Sequence, residues 1–435
     1  VEFDQIQYAG LSDVGVRRSH NQDTFEIQPA PDASNWQTTG HVFLVADGMG
    51  GHAVGEKASA KAKREIPHTY IKYAHEGASS ALRRAFQETN AGIFAIGQQN
   101  PEFKGLGTTA TALVIRPDGA WVGHVGDSRC YRLRNGVMEQ LSYDHSLAWM
   151  LARQQGVDPD ELTDIRKNVI VRSLGPDSLV QVDVEGPHPV QPGDVFLLCS
   201  DGLSNPLSPE EIGLVIGLFP PKEACEMLVE LANLKGGPDN ITVVIARVGT
   251  DLTGSRTMTA IRPNPLRELG RKIIRAVPWP MWALGSGFLL AAGFFAASFT
   301  EIPGRSVLLV LALISIIIGL IGLGMEFTAQ ADQPEEEEEP HSPRQSIYRK
   351  HPCPVDLTQI ERIGKVITTL KQHLEQKSWN VSWEAFSSYM DQVQSQRKAN
   401  HLADALRASY RALVILAQSY NRQRQKEEVF QPKWD

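Results

Sequence analysis

Along the first 250 residues, short apolar runs alternate with longer stretches in which apolar positions recur every three or four residues. The runs VFLVAD, TALVI, WVGHVG, CYRLR, VFLLCS and ITVVIARV have the length and the β-branched, aromatic content of buried strands. Helical spacing predicts helices at about residues 53–74, 80–98, 146–155 and 221–234. Strand clusters separated by helix pairs predict a mixed sheet structure with helices on its outer faces.

Beyond residue 249 the pattern changes. Residues 250–265 lose all periodicity and read as a linker, followed by a basic stretch with Arg267, Arg271, Lys272 and Arg275. Two uncharged apolar runs follow, at 276–300 (most apolar at 281–299) and 306–325, separated by EIPGR. Each is about the length that crosses a hydrocarbon core of roughly 30 Å. They predict a transmembrane hairpin over 276–326, with Trp279 and Trp282 at an interfacial belt and the basic cluster on the cytoplasmic side. Both flanking regions are then expected to face the cytoplasm from a multi-pass position in the inner or plasma membrane. The Glu- and Pro-rich stretch at 327–355 reads as a solvated linker. Over 356–425 helical spacing returns at Leu357, Ile360, Ile363, Ile367, Leu370 and Leu374, then at Trp383, Phe386, Met390 and Val393, then at Leu402, Leu406, Leu413, Leu416 and Tyr420. The last two segments resemble one tetratricopeptide-like hairpin, and a small bundle or dimerisation hairpin fits the pattern equally.

Composition removes several function classes. Lys plus Arg total 43 against 50 Asp plus Glu, a formal charge of -7, which argues against nucleic acid as a partner. The four cysteines, Cys130, Cys199, Cys225 and Cys353, are scattered, which suits a reducing compartment better than a disulfide scaffold or a zinc site. The opening VEFDQIQYAG is charged and has no apolar core, so it does not read as a secretory signal.

Candidate chemistry resides in four acidic signatures: RRSHNQD ending at Asp23, VADGMGGH with Asp47, CSDGLS with Asp201 and GPDNIT with Asp239. Two follow apolar strand runs directly, so Asp47 and Asp201 fall where a strand ends and a Gly-permitted turn begins. Carboxylates from distant positions can then meet at one sheet edge. Converging Asp oxygens and turn carbonyls suit Mg²⁺ or Mn²⁺ better than zinc.

With SDVGVRRSHNQD, VADGMGGH, GLGTTATALV, HVGDSRCYRLRNG, LSYDHSLAWML, VIVRSLG, LLCSDGLSNPLS and GGPDNITVVIARV in this order over residues 8–248, the chain resembles the metal-dependent protein phosphatases of the PPM, or protein phosphatase 2C, type. The resemblance implies a four-layer α-β-β-α sandwich of two stacked, mostly antiparallel sheets flanked by helices, over residues 1–249. It implies two Mn²⁺ or Mg²⁺ ions bridged by Asp47, with the Gly48 carbonyl on one ion and Asp201 and Asp239 on the other. Asp23 is implied either as a ligand or as a support for metal-bound water. Asp127, in GDSR, matches a third and weaker metal site shared with Asp201. Arg18 matches the phosphate-binding arginine, with Arg17 the competitor by adjacency, and residues 158–170 correspond to a flap beside the active site. The implied reaction is hydrolysis of phosphoserine and phosphothreonine by a bridging hydroxide, with phosphoproteins as substrates and Ser/Thr kinases as opposing partners.

Two positions depart from the eukaryotic pattern. Gln22 stands where many relatives carry a metal-binding Glu, and Met49 where they carry a histidine proposed as general acid, leaving His52 as the nearest substitute. A catalytically weak membrane scaffold that binds phosphoproteins is the alternative reading of the same sequence. Another phosphoesterase, such as a nuclease, is disfavoured by the charge balance.

Overall fold

The computed structural model describes residues 5–50, 54–99, 101–103, 105–162, 165, 169–249 and 349–429, with isolated positions between 291 and 315. Two units are present: Val1–Ala260 together with Ser346–Asp435, and Ile261–Gln345.

In the larger unit, twelve strands are described: β1 (Ile6–Asp13), β2 (Asp23–Gln28), β3 (His41–Met49), β4 (Gly107–Thr108), β5 (Ala110–Arg116), β6 (Gly119–Val125), β7 (Arg129–Arg134), β8 (Val137–Gln140), β9 (Asp183–His188), β10 (Val195–Cys199), β11 (Ile241–Val248) and β12 (Lys350–Pro352). One sheet runs β1-β11-β10-β7-β8-β12 and the other β2-β3-β5-β6-β9, with β4 paired to β3. Every ladder is antiparallel. The helices are α1 (Ala33–Thr38), α2 (Val54–Tyr73), α3 (Ala78–Gln99), α4 (Leu147–Gln155), α5 (Asp201–Ser204), α6 (Pro209–Leu218), α7 (Pro221–Leu234), α8 (Leu357–Gln376), α9 (Trp383–Lys398) and α10 (Leu402–Val429).

Side-chain alternation along single strands explains the layering. In β10, Val195, Leu197 and Cys199 point toward α6 and α7, while Phe196 and Leu198 point into the space between the sheets. β11 divides the same way: Ile241, Val243 and Ile245 face the helices, and Val244, Ala246 and Val248 face the other sheet. In β3, Val42, Leu44 and Ala46 meet α2 and α3, and Phe43 and Val45 meet the first sheet. Strands buried on both faces need apolar residues at every position, which is why these runs are continuous rather than alternating. Two sheets with outer helices fit the expected sandwich.

All four long helices expected in the first 249 residues are present, with ends within a few residues. Helix α6 was not anticipated, although SPEE carries its start signal. Ser208 and Glu211 form a reciprocal capping box, the Ser208 N–H donating to Glu211 Oε2 (2.9 Å) and the Glu211 N–H to Ser208 Oγ (3.3 Å), with Pro209 in the first turn.

The C-terminal residues form part of this unit. Strand β12 falls inside the stretch that composition assigned to a linker, because the open edge of β8 accepts it: Lys350 pairs with Glu139 and Pro352 with Val137. Helices α8–α10 have the predicted spacing, and their buried residues, Ile360, Ile367, Leu374, Leu406, Leu413 and Leu416 among them, share one core cluster with α6 and α7. Polar contacts rim this packing: Arg411 grips Glu223 (2.7 and 3.1 Å), Arg407 Nε donates to the Leu218 carbonyl (2.9 Å), and Asn421 Nδ2 donates to Glu230 Oε2 (2.8 Å). The apolar face that suggested a dimerisation hairpin is therefore covered within the chain. Cys353 is buried beside Gly213, and all four cysteines are free.

In the unit Ile261–Gln345, Ala291, Phe295, Leu309, Val310, Leu313 and Ser315 are described, each helical. The expected membrane hairpin otherwise lies outside the described residues, and among the described residues no helix is long and apolar enough to cross a membrane.

Candidate active site

The ends of β3, β6 and β10 and the beginnings of β2, β7 and β11 meet at one end of the stacked sheets. This topology places the acidic residues together. Asp23 opens β2 and lies directly across the ladder from Asp47 near the end of β3. Asp127 occupies the turn between β6 and β7, Asp201 is the first residue of α5 just past β10, and Asp239 lies two residues before β11.

Glycines after two of these aspartates have a steric role. A Cβ on Gly48 would lie 2.3 Å from the Gly55 carbonyl oxygen, and one on Gly202 would lie 1.9 Å from that of Asn240. The Asp-Gly pairs thus let the backbone behind each carboxylate pass against a second chain segment.

Electrostatics at this edge are unbalanced. Burial pushes the Asp23 carboxyl up to about 6, with the charge of Asp201 adding to it and the Ser200 hydroxyl opposing. Asp201 is raised to about 6, by burial and then by Asp239. Asp127 is raised to about 8, by burial, Asp201 and Asp144. Asp47 is held well above the usual carboxylate range by burial and by Asp23, Asp201, Asp127 and Asp239 together. Several buried carboxylates that raise one another in this way call for cations.

The donor set fits divalent ions. Asp23 Oδ1, Asp127 Oδ1 and Asp201 Oδ1 are buried without a hydrogen-bond partner among the described residues. The ligating atoms on offer are all oxygens, as Mg²⁺ and Mn²⁺ require. No three His, Cys, Asp or Glu among the described residues are set to enclose an ion unaided. Ions here would complete their shells with water and carbonyls such as that of Gly48, in keeping with the reluctance of Mg²⁺ to shed its waters.

Arg18 adjoins this cluster. Its Nη2 donates to Asp239 Oδ2 (2.7 Å), and its side chain is 49% exposed, so the guanidinium stands at the mouth with donors to spare. Arg17, the competitor, makes no side-chain ion pair with the cluster among the described residues. The loop that carries Arg18 is stapled by Asn240, whose Nδ2 donates to the carbonyls of Val14 (2.9 Å) and His20 (3.0 Å) and whose Oδ1 accepts the Gln22 N–H (2.8 Å). The Asn240 backbone N–H also donates to Asp239 Oδ1 (2.8 Å). Gln22 is tied mainly through its backbone, its carbonyl accepting from Gly48 N–H (3.1 Å) and Ser59 Oγ (2.6 Å). Its amide reaches the Gly50 carbonyl only at 3.4 Å. Met49 ends β3, half-buried, and His52 lies outside the described residues.

Sequence reasoning overlooked the hydroxyl and imidazole supports. Ser200 Oγ donates to Asp23 Oδ2 (2.7 Å) and accepts the Thr242 N–H (3.0 Å), joining the two sheets under the cluster. Thr109 Oγ1 accepts the Asp47 N–H (3.0 Å), and Thr108 Oγ1 donates to the Asp47 carbonyl (2.8 Å). His145 Nδ1 accepts the Gly126 N–H (3.0 Å), while its other nitrogen contacts Asp183 Oδ2 (3.0 Å), so the turn carrying Asp127 is braced from below. The signal was present in GTT, CSDG and DHS, whose small polar residues sit among apolar neighbours.

An oxygen-only carboxylate cluster with a forked cation at its rim defines a metal-dependent hydrolase of phosphate esters. The sequence model described as Protein phosphatase 2C matches residues 16–233. The serine/threonine phosphatase stp of Listeria monocytogenes is 35% identical over 248 residues, covering 56% of this chain and 95% of its own length. The serine/threonine protein phosphatase PstP of Mycobacterium tuberculosis is 32% identical over 253 residues, covering 56% of this chain and 45% of PstP. The crystal structure of the PstP phosphatase matches 56% of this chain and 99% of the solved one, with a TM-score of 0.50. The PstP catalytic domain, 32% identical and matched at a TM-score of 0.49 over 56% of this chain and 99% of that one, has been crystallised with two manganese ions. The chain belongs to the protein phosphatase 2C family. Its activity is that of a metal-dependent phosphoprotein phosphatase.

Proposed function

We propose that this phosphatase removes phosphate from phosphoserine and phosphothreonine in proteins, from a site tethered to a membrane. The observation that carries the site assignment is the meeting of Asp23, Asp47, Asp127, Asp201 and Asp239 at one sheet edge beside Arg18. In this reading Asp47, the Gly48 carbonyl, Asp201 and Asp239 would hold the two divalent ions. The unpartnered Asp23 Oδ1 would support a metal-bound water, and Asp127 with Asp201 would hold a third, weaker ion. The bound ions supply charge neutralisation and a lowered pKa for attacking water.

The residues of the chain do the remainder. Arg18 grips the phosphate with two N–H donors and holds it in line, and its ion pair with Asp239 sets the angle of the fork before substrate arrives. Ser200, Thr108, Thr109 and Asn240 hold the carboxylates and the arginine loop fixed, so little reorganisation accompanies reaction. His52 is the candidate for protonating the leaving alkoxide.

The apolar runs at 281–299 and 306–325, preceded by four basic residues, support a membrane hairpin with both flanks in the cytoplasm. Such tethering suits an enzyme that opposes membrane-associated Ser/Thr kinases. The assay is hydrolysis of phosphoserine, phosphothreonine and phosphotyrosine peptides with Mn²⁺, alongside carbonate extraction of membranes carrying the full chain. Retained turnover in excess chelator would overturn the mechanism, and release of the chain by carbonate would overturn the tether.

A further inference from the structure

Residues 349–429 lie beyond the family match at 16–233, yet they touch the catalytic domain at more than their apolar face. Strand β12 lines the edge of β8, and the Arg349 carbonyl just before it accepts the Gln140 N–H (3.0 Å). From there the Arg349 side chain, 16% exposed, reaches α4 and the segment that follows it. Its guanidinium lies 5.5 Å from the Trp149 ring centroid, pairs with Asp158 (3.2 Å) and forms a second, closer pair with Asp160.

Asp158 and Asp160 belong to the segment that leaves α4. Gly156 ends that helix in the left-handed conformation, the Val157 N–H donates to the Ala152 carbonyl (3.1 Å), and Asp158 caps the single turn Pro159–Glu161. This segment is the outgoing stem of the stretch matched to the family's flap. The returning stem is fixed to the other end of α4 by backbone bonds: Leu147 N–H to the Val169 carbonyl (2.8 Å) and Val171 N–H to the His145 carbonyl (2.9 Å). The return is therefore anchored by the catalytic fold itself, and the departure is gripped by an arginine from the C-terminal region. Trp149 links that grip to the acidic centre, because Arg129 sits 5.9 Å from the same ring and chelates Asp144 (2.8 and 3.1 Å), the neighbour of His145 beneath the Asp127 turn.

We infer that Arg349 is a positioning residue for protein substrates: by holding Asp158 and Asp160 against α4, it sets the rim over which a phosphoprotein must lie. The inference rests on the phosphatase reading, and it assigns the C-terminal region a part in substrate binding in addition to packing. A small phosphate ester occupies the metal centre without crossing that rim. The two substrate sizes therefore separate positioning from simple structural support.

The test uses the full chain with Mn²⁺, a phosphothreonine peptide and p-nitrophenyl phosphate. Arg349→Ala is expected to raise KM for the peptide about three- to tenfold, the size of one or two charge-assisted contacts at the surface, with kcat/KM for the small ester changed less than about twofold. Arg349→Lys recovers part of the loss, and Arg349→Ala adds nothing further in an Asp158→Asn, Asp160→Asn background. Amide exchange at 157–162 accelerates in Arg349→Ala. Equal effects on both substrates, additive effects with the double Asn variant, or unchanged exchange would each overturn the inference. A wild-type chain that hydrolyses neither substrate would refute the phosphatase reading, and the exchange experiment would still decide the contact.

Discussion

The acidic edge of the sandwich and the C-terminal helices are held by opposite physics. At the edge, Asp23, Asp47, Asp127 and Asp201 all have pKa values raised by burial and by one another, and the described cation that pairs with the cluster is the half-exposed Arg18. In the helices, Leu406, Leu413 and Leu416 are buried with the α7 face in one apolar cluster, and charged pairs such as Arg411–Glu223 stay at the rim. Without ions the first region opposes folding and is kept for binding and chemistry. The second stabilises the fold and makes no chemistry of its own. The contrast implies that mutations should divide cleanly: isosteric removal of a central charge costs activity and spares stability, and truncation on the helices does the reverse.

The severest challenge to that division is Asp47→Asn. On the proposed reading, losing this carboxylate is expected to lower kcat on a phosphopeptide by on the order of 10³-fold even at high Mn²⁺. The same change should raise the melting temperature of the chelator-treated protein, because a buried like charge has gone. Turnover within tenfold of wild type, or a lower melting temperature in chelator, would break the comparison at its acidic end.

Leu416→Ala probes the other end. The side chain is fully buried, so the substitution should cost about 2–5 kcal/mol in denaturant unfolding. Mn²⁺ affinity and turnover per folded molecule should be unchanged. A loss below about 1 kcal/mol would mean that α10 sits on the domain without stabilising it. Arg18→Ala has a smaller expected effect, a fall in kcat/KM of about 10–100-fold with unfolding unchanged, since the proposed function sets the fork on phosphate and its ion pair is exposed. Arg18→Lys should restore only part, because a point charge does not replace two parallel donors.

These regions also differed in legibility. The sandwich could be read because strands buried on both faces write continuous apolar runs, and the central aspartates could be found because each follows a run or opens one. Supports such as Ser200, Thr109 and His145 were hidden, since a hydroxyl or imidazole acquires its partner only when distant strands align, as Asp23 and Ser200 do across two sheets. Helix spacing at Leu357–Gln376, Trp383–Lys398 and beyond was plain, whereas what those faces cover was not. Periodicity records that a face is buried and leaves its partner unspecified. Arg349 was invisible for the same reason: its ion pairs span about 190 residues and belong to no motif.

The finest separation of the two regions comes from pH. A carboxyl whose folded pKa lies above its unfolded value stabilises the fold fully below the unfolded pKa, and that contribution disappears as pH rises through the folded pKa. Asp23 and Asp201, at about 6, lose theirs mainly from pH 4 to 6, and Asp127, at about 8, continues to lose its own up to about 8. His124 acts in the opposite direction at low pH. Buried and lowered to about 3, it withholds stability as pH falls below its usual 6.5, partly masking the aspartates there. Above pH 7 the histidine contribution is flat, leaving Asp127 to set the slope. In chelator, the melting temperature should therefore fall by about 2–4 °C between pH 7 and 8, the shift that corresponds to roughly 1 kcal/mol in a domain of this size. Asp127→Asn should shallow that fall, and millimolar Mn²⁺ should reverse it, because binding to the deprotonated cluster strengthens as pH rises. Leu416→Ala should shift the whole curve downward without changing its slope. A flat chelator curve in the wild type would mean that the carboxylates are already compensated within the fold, and the opposition between the two regions would fail.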